Sequence, residues 1–441
     1  MAIVQAPPTR SASPRGVPRD SAIDLVRATC VAVVVLLHAL MVGVTIGPAG
    51  PIFENAAEGA PWLVPLTWIA QIMPVFFVVG GFAGAIAFRR LRDAGGSAAV
   101  FVAGRVHRLL LPAVISITVV GAGLAVLWLC GLPADIVQIA GFRYSQPLWF
   151  LGVFLLCQAL LPALLAAHER APMRSILALV AGAIVVDVLR GVSGVDAIGL
   201  VNLALVWLAL QQLGFFLADG RIDALRRRTR VLAASASAAV LVGTFVTGIF
   251  SPDLLENLNP PTTALLLVGA AQTALLSLLR GPLTRLSRRP HIAAFTRFVT
   301  ARTMTIYMWH MPVLLTMAGI TALVAMGHGM PLPEPSTFGW WMTRPLWLAG
   351  AVALTAGVAV ALGGVERRRA PEAVPSPRHI RQAVTLGMGA VILLLAAGTS
   401  VATAMVAVAL LLIALARVGV PLRGRRLTRG EREDRHATMG R

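Results

Sequence analysis

Apolar residues in this chain fall in long unbroken runs, without the strict alternation of exposed strands or the heptads of a coiled coil. Each run is near the length a bilayer asks of a helix, about 20 residues. The runs predict spans over 25–46, 62–88, 109–130, 147–166, 174–189 and 197–218, then 231–250, 262–279, 302–326 and 345–365. The stretch 382–419 is too long for one ordinary span. Gly398-Thr399-Ser400 divides it into a tight hairpin, 382–397 and 401–419. The fold class expected is all-α, a polytopic transmembrane helix bundle of twelve spans.

The polar segments test that count. Arginines gather in 89–108, 167–174, 219–230, 280–301 and 366–381, whereas 47–61, 131–146, 190–196, 251–261 and 327–344 hold one or none. Rich and poor loops alternate throughout, and the tail after 420 is rich again. The positive-inside rule then places both termini in the cytoplasm of a multi-pass cell-membrane protein. Residues 1–19, rich in Pro, Ser and Arg, read as a disordered cytoplasmic tail, and 421–441 as an Arg-rich cytoplasmic tail.

Composition agrees: of 441 residues, 57% are hydrophobic and 13% charged. The formal net charge of +19 comes from arginine alone, since the chain has no lysine. In a soluble protein such a charge would point to nucleic acid. Here the arginines stand between apolar runs, which assigns them to topology and anionic lipid and leaves nucleic acid out. The 3 cysteines lie in apolar runs and offer neither a disulfide framework nor metal spacing. The 8 histidines are scattered, so no metal site is expected; Walker-type and GxSxG motifs are also missing.

Three places carry chemistry. In the first span Asp24, Arg27 and His38 interrupt a run of Val, Leu and Ala. Arg27 and His38 are separated by close to three helical turns, so they share a face, with His38 roughly 16 Å deeper. An ionisable group at that depth needs a wet cavity or a partner and marks a candidate functional site. The alternative is a neutral histidine hydrogen-bonded to a neighbouring helix as packing glue. The second place is Arg105-Val-His107-Arg108, just before Leu109-Leu-Leu111-Pro112, where guanidinium forks suit phosphate. Positive-inside anchoring is the competing account. The third is Tyr307-Met-Trp309-His310-Met-Pro312, in which Pro312 removes a backbone donor beside Tyr307 and His310.

These pieces resemble the membrane acyltransferase-3 family, bacterial integral-membrane enzymes that O-acylate sugars and other extracytoplasmic acceptors. Its first-helix signature, Arg, ten residues, His, reads here as Arg27 to His38, preceded by Asp24. Phe76-Phe-Val-Val-Gly80-Gly81-Phe82 keeps the frame of a second-helix run but has Gly80 in place of Ser. Arg105 and Arg108 with Pro112 resemble the arginine pair before the third helix, although Val-His intervenes. Pro147-Leu-Trp149-Phe150-Leu151 and Tyr307-x-x-His310-x-Pro312 resemble the fourth-helix start and a late motif. The likeness spans the usual ten-helix core, here 20–365, and leaves a hairpin over 366–420 as an addition.

The resemblance implies an O-acyltransferase with acyl-CoA as donor substrate, no permanently bound cofactor, and a hydroxylated extracytoplasmic acceptor such as a glycan, for which O-acetylation is the type reaction. Arg27, Arg105 and Arg108 would bind the donor phosphates, with Asp24 holding Arg27. His38 would act as general base or carry the acyl group. Tyr307 and His310 would support the cavity. The rival readings are a transporter or flippase with a polar intramembrane cavity, and an inactive relative.

Overall fold

The computed structural model describes residues 20–48, 50–364 and 376–419. The tails expected over 1–19 and 421–441 lie outside the described residues. In chain order the elements are α1 (Ser21–Met41), β1 (Val42–Gly47), β2 (Gly50–Asn55), α2 (Leu63–Ala70), α3 (Met73–Asp93) and α4 (Ala98–Leu129). Next come α5 (Ala134–Ser145), a 3₁₀ turn (Gln146–Leu148), α6 (Trp149–Arg170), α7 (Pro172–Ser193), a second 3₁₀ turn (Asp196–Val201) and α8 (Asn202–Ala218). The rest are α9 (Arg227–Val246), α10 (Ala264–Ser287), α11 (Pro290–Thr300), α12 (Thr303–His328), α13 (Phe338–Leu362), α14 (Pro377–Ala397) and α15 (Val401–Gly419). Among the described residues, 12 segments are long and apolar enough to cross a membrane. The all-α polytopic bundle is therefore the observed architecture, with one two-stranded hairpin added to it.

The differences from the expected spans have local causes. The first span stops at Met41 instead of 46, because Val42-Gly-Val-Thr-Ile46 is β-branched and glycine-containing and favours extended backbone. It pairs antiparallel with β2, from Val42 opposite Asn55 to Gly47 opposite Gly50. The second span is broken at Gln71-Ile72, where Pro74 cannot donate to the preceding turn. Gln272 of α10 repairs the break: its Nε2 donates to the Gln71 carbonyl at 2.7 Å and its Oε1 accepts from the Val75 N–H at 3.0 Å. The third span begins well before 109, at Ala98 behind a Ser97 cap. Arg105 and Arg108 consequently lie within α4 and not ahead of it.

Ion pairs define one face of the bundle. Arg89 and Arg92 at the end of α3 clamp Glu169 at the end of α6, at 3.1 and 2.8 Å. Arg89 also reaches Asp219 just after α8, at 2.8 Å. Burial works against the Asp219 charge, but hydrogen bonds from His168 and Arg89 outweigh it and hold the carboxyl below its ordinary range. The clamp is thus complete at neutral pH and loosens as acid protonates Asp219. Arg280 of α10 bonds Asp20, the cap of α1, at 2.5 Å and also Asp223. At the opposite face Trp62 donates to Ser336 Oγ at 2.8 Å and Trp68 to the Pro252 carbonyl at 3.0 Å.

α3 and α8 pack backbone against backbone. A Cβ at Gly81 would collide with the Gln211 carbonyl, and one at Gly214 with the Val78 carbonyl. Reciprocal glycines let the two backbones touch, as small residues do in membrane bundles. Beside this seam Phe77 stacks on Trp207 with ring centroids 4.4 Å apart. Gly80 differs, because a Cβ there meets only the edge of Phe154 at 3.5 Å, an ordinary contact. Gly214→Ala should therefore lose about 1–3 kcal/mol to overpacking, whereas Gly80→Ser should leave stability unchanged. Thermal unfolding of the purified variants in detergent checks both.

Candidate functional site

One cavity of about 1310 Å³ runs through the bundle and gathers the three places that carry chemistry. Arg27 and His38 from α1, Arg105 and Arg108 from α4, and Tyr307 and His310 from α12 all line it. The broken second span contributes Gln71, Ile72 and Met73, and β2 contributes Glu54 and Asn55 at the far end. Asp24 stands one turn from Arg27 and accepts a hydrogen bond from its Nη2 at 2.5 Å. That leaves Asp24 beside the cavity and Arg27 in its wall.

The arginines differ from those of the face clamps. Arg105 lies over the Phe101 ring, 4.8 Å from its centroid, and is close enough to Arg108 and Arg27 to be repelled by both. No carboxylate pairs with Arg105 or Arg108 among the described residues. A cluster of like charges with one acid beside it has the chemistry to take an anion.

The histidines are held in defined tautomers. His38 Nδ1 lies 2.8 Å from the Val34 carbonyl, and His310 Nδ1 lies 2.6 Å from the Tyr307 carbonyl. A carbonyl oxygen only accepts, so in each ring Nδ1 carries the hydrogen and Nε2 keeps a lone pair. The rings meet edge to face with centroids 4.9 Å apart. His310 is fully buried, and its Nε2 has no partner among the described residues.

Among the residues that position this pair, Ser116, Tyr144 and Trp347 carry no sequence signal of their own. Pro312 lacks an N–H, so the Met308 carbonyl loses its helical partner. Ser116 of α4 donates to that carbonyl at 3.0 Å and in turn accepts from the Tyr144 hydroxyl at 3.0 Å. Tyr307 donates its hydroxyl to the Pro147 carbonyl at 2.7 Å, tying α12 to the 3₁₀ turn before α6. The indole of Trp347 in α13 donates to the Ala39 carbonyl at 2.8 Å, next to His38. Ser116 is a lone hydroxyl in an apolar run, which hints at burial but not at its partner.

A family model described as an acyltransferase domain, acyltransferase-3, matches residues 20–364. The chain belongs to the acyltransferase-3 family. It is accordingly a multi-pass membrane O-acyltransferase, and the transporter reading falls away. Comparison with curated proteins and with solved structures gives no match. In this acyltransferase-3 protein the arginine cluster and the pair of imidazoles line one cavity. The match ends just after α13, leaving α14 and α15 beyond it.

Proposed function

We propose that this acyltransferase moves an acyl group from a cytoplasmic acyl-CoA-type donor to a hydroxyl of an extracytoplasmic glycan, lipid or metabolite. The observation that carries the reading is a single cavity with Arg27, Arg105 and Arg108 towards the ion-paired face and His38 deeper inside. In this reading the ion-paired, Arg-rich face is cytoplasmic, as are both termini. Guanidinium forks take the donor's phosphates with charge-assisted hydrogen bonds, and Asp24 fixes the angle of Arg27.

The thioester arm then lies along the cavity with its carbonyl near His38. The acceptor hydroxyl donates its proton to His38 Nε2 as its oxygen attacks the thioester carbon. When the tetrahedral intermediate collapses, the C–S bond breaks and the proton passes from His38 to the leaving sulfur. An ester and a free thiol result, and atoms and charge balance without a resident cofactor or metal. The Nδ1 bond to Val34 supports this role, since it keeps Nε2 as the basic nitrogen. Tyr307 and His310 complete the wall beside His38.

Three measurements test the reading. His38→Ala should lower acyl transfer by about 10²–10⁴ while thermal stability holds; release of thiol from acetyl-CoA in membranes supplemented with lipid extract gives the rate. Full activity would sink the catalytic assignment. Arg105→Ala with Arg108→Ala should weaken coenzyme A binding at least about tenfold, since hydrogen bonds to charged groups are lost. Unchanged affinity in a titration would leave the pair as topology anchors. A phosphatase reporter fused after Arg441 should remain inactive, because it needs the extracytoplasmic side; activity would reverse the orientation.

A further inference from the structure

The family match stops at 364, but the cavity wall continues into α14, which adds Ile392, Leu395 and Ala396. This helix runs antiparallel to α6: Gly387 packs against Leu155, and Val391 lies 3.1 Å from a Cβ placed at Gly152. Its outer part therefore lies away from the ion-paired face, at the depth of His38. At 1.5 Å per residue, His38 and the segment 392–396 are all roughly 22–29 Å from their helix starts.

The hairpin is fixed firmly in place. Ala383, Gly387, Ala390, Val391 and Leu394 are buried. Its turn is bolted to α5 by a 2.6 Å hydrogen bond between Ser145 and Thr399 hydroxyls, and the Thr399 carbonyl leaves no room for a Cβ at Gly141. Ile392 and Phe142, by contrast, line the cavity while 56% and 52% exposed. The cavity thus opens sideways between α5 and α14, through apolar side chains at bilayer depth. A second, mostly apolar hollow of about 790 Å³ shares Phe142 and Ala396 with it and widens the opening.

One charge marks this rim. Arg143, at the end of α5, lines the cavity, and no carboxylate pairs with it among the described residues. It is also the single arginine of its loop. A guanidinium beside an apolar opening matches a molecule with a phosphate next to hydrocarbon. We propose that the gap between α5 and α14 is a lateral portal for an anionic, lipid-anchored acceptor: its head enters the cavity towards His38, its phosphate meets Arg143, and its tail stays in the bilayer against Ile392 and Leu395. The proposal rests on the acyl-transfer reading and names the acceptor class for it.

The test uses the full chain in nanodiscs with two lipid probes, phosphatidylglycerol and phosphatidylcholine, each carrying a photoreactive diazirine on the head group. Mass spectrometry then locates the labelled peptides. Phosphatidylglycerol should label peptides holding His38 and Arg143, and phosphatidylcholine much less. Arg143→Gln should cut that labelling about tenfold, the loss of one charged contact. Ile392→Trp, which narrows the portal at an exposed position, should cut it as well. Equal labelling by both lipids, or labelling indifferent to both variants, overturns the portal. So does an Ile392→Trp variant that weakens octanoyl-CoA but not acetyl-CoA binding while labelling is kept, because the wall would then hold the donor's chain. Labelling needs no donor, so a failure of the donor reading shows separately, as wild-type protein that takes the lipid but binds no coenzyme A.

Discussion

Hydrocarbon offers no hydrogen-bond partner, so every backbone group released inside the bilayer has to be answered from within the protein. In this acyltransferase the releases coincide with the cavity. The second span breaks at Gln71-Ile72 and Gln272 closes the gap from α10. Pro312 frees the Met308 carbonyl and Ser116 answers from α4. At the 3₁₀ turn before α6 the Pro147 carbonyl, already bonded to the Trp149 N–H, also takes the Tyr307 hydroxyl. Each repair crosses between helices, so the bonds that make irregular backbone tolerable also fix how α3, α4, α6, α10 and α12 stand around the site.

Legibility in the sequence follows from which forces are local. Span number is a matter of run length and arginine placement, and both are written residue by residue. The common face of Arg27 and His38 follows from helical period alone, so their meeting in one cavity was within reach of the sequence. The end of α1 was not, because Val42 to Ile46 is apolar enough for a span and becomes a strand only with β2 beside it. Nor was α11, whose polar Arg-rich surroundings conceal a short helix with Thr296 and Val299 buried. The partners of Ser116, Gln272 and Trp347 are set by packing between distant segments, which no local pattern encodes. The wall supplied by α14 is hidden for the same reason: Ile392 and Leu395 read as ordinary lipid-facing residues until their neighbours are known.

Charge separates two populations of arginine that look alike in the sequence. Arg89, Arg92 and Arg280 are matched to Glu169, Asp219, Asp20 and Asp223, and their work is to hold helix ends together. Arg105 and Arg108 have no such match among the described residues and stand near Arg27 within the cavity. Partly desolvated like charges repel more strongly than they would in water, so gathering them costs stability. A fold retains such a cost where something else repays it, and in the proposed reaction that is the phosphate of the donor.

The two histidines extend the same logic from charge to protons. With both Nδ1 hydrogens committed to backbone carbonyls, the pair presents lone pairs and no donor hydrogens to the cavity. A surface that only accepts hydrogen bonds is complementary to a group that gives them, and a hydroxyl is such a group whereas a thioester is not. In the proposed reaction this suits the histidines to the acceptor and leaves the donor to the arginines. His38 is partly exposed whereas His310, in the same cavity wall, is buried, so in the proposed reaction a hydroxyl meets His38 first.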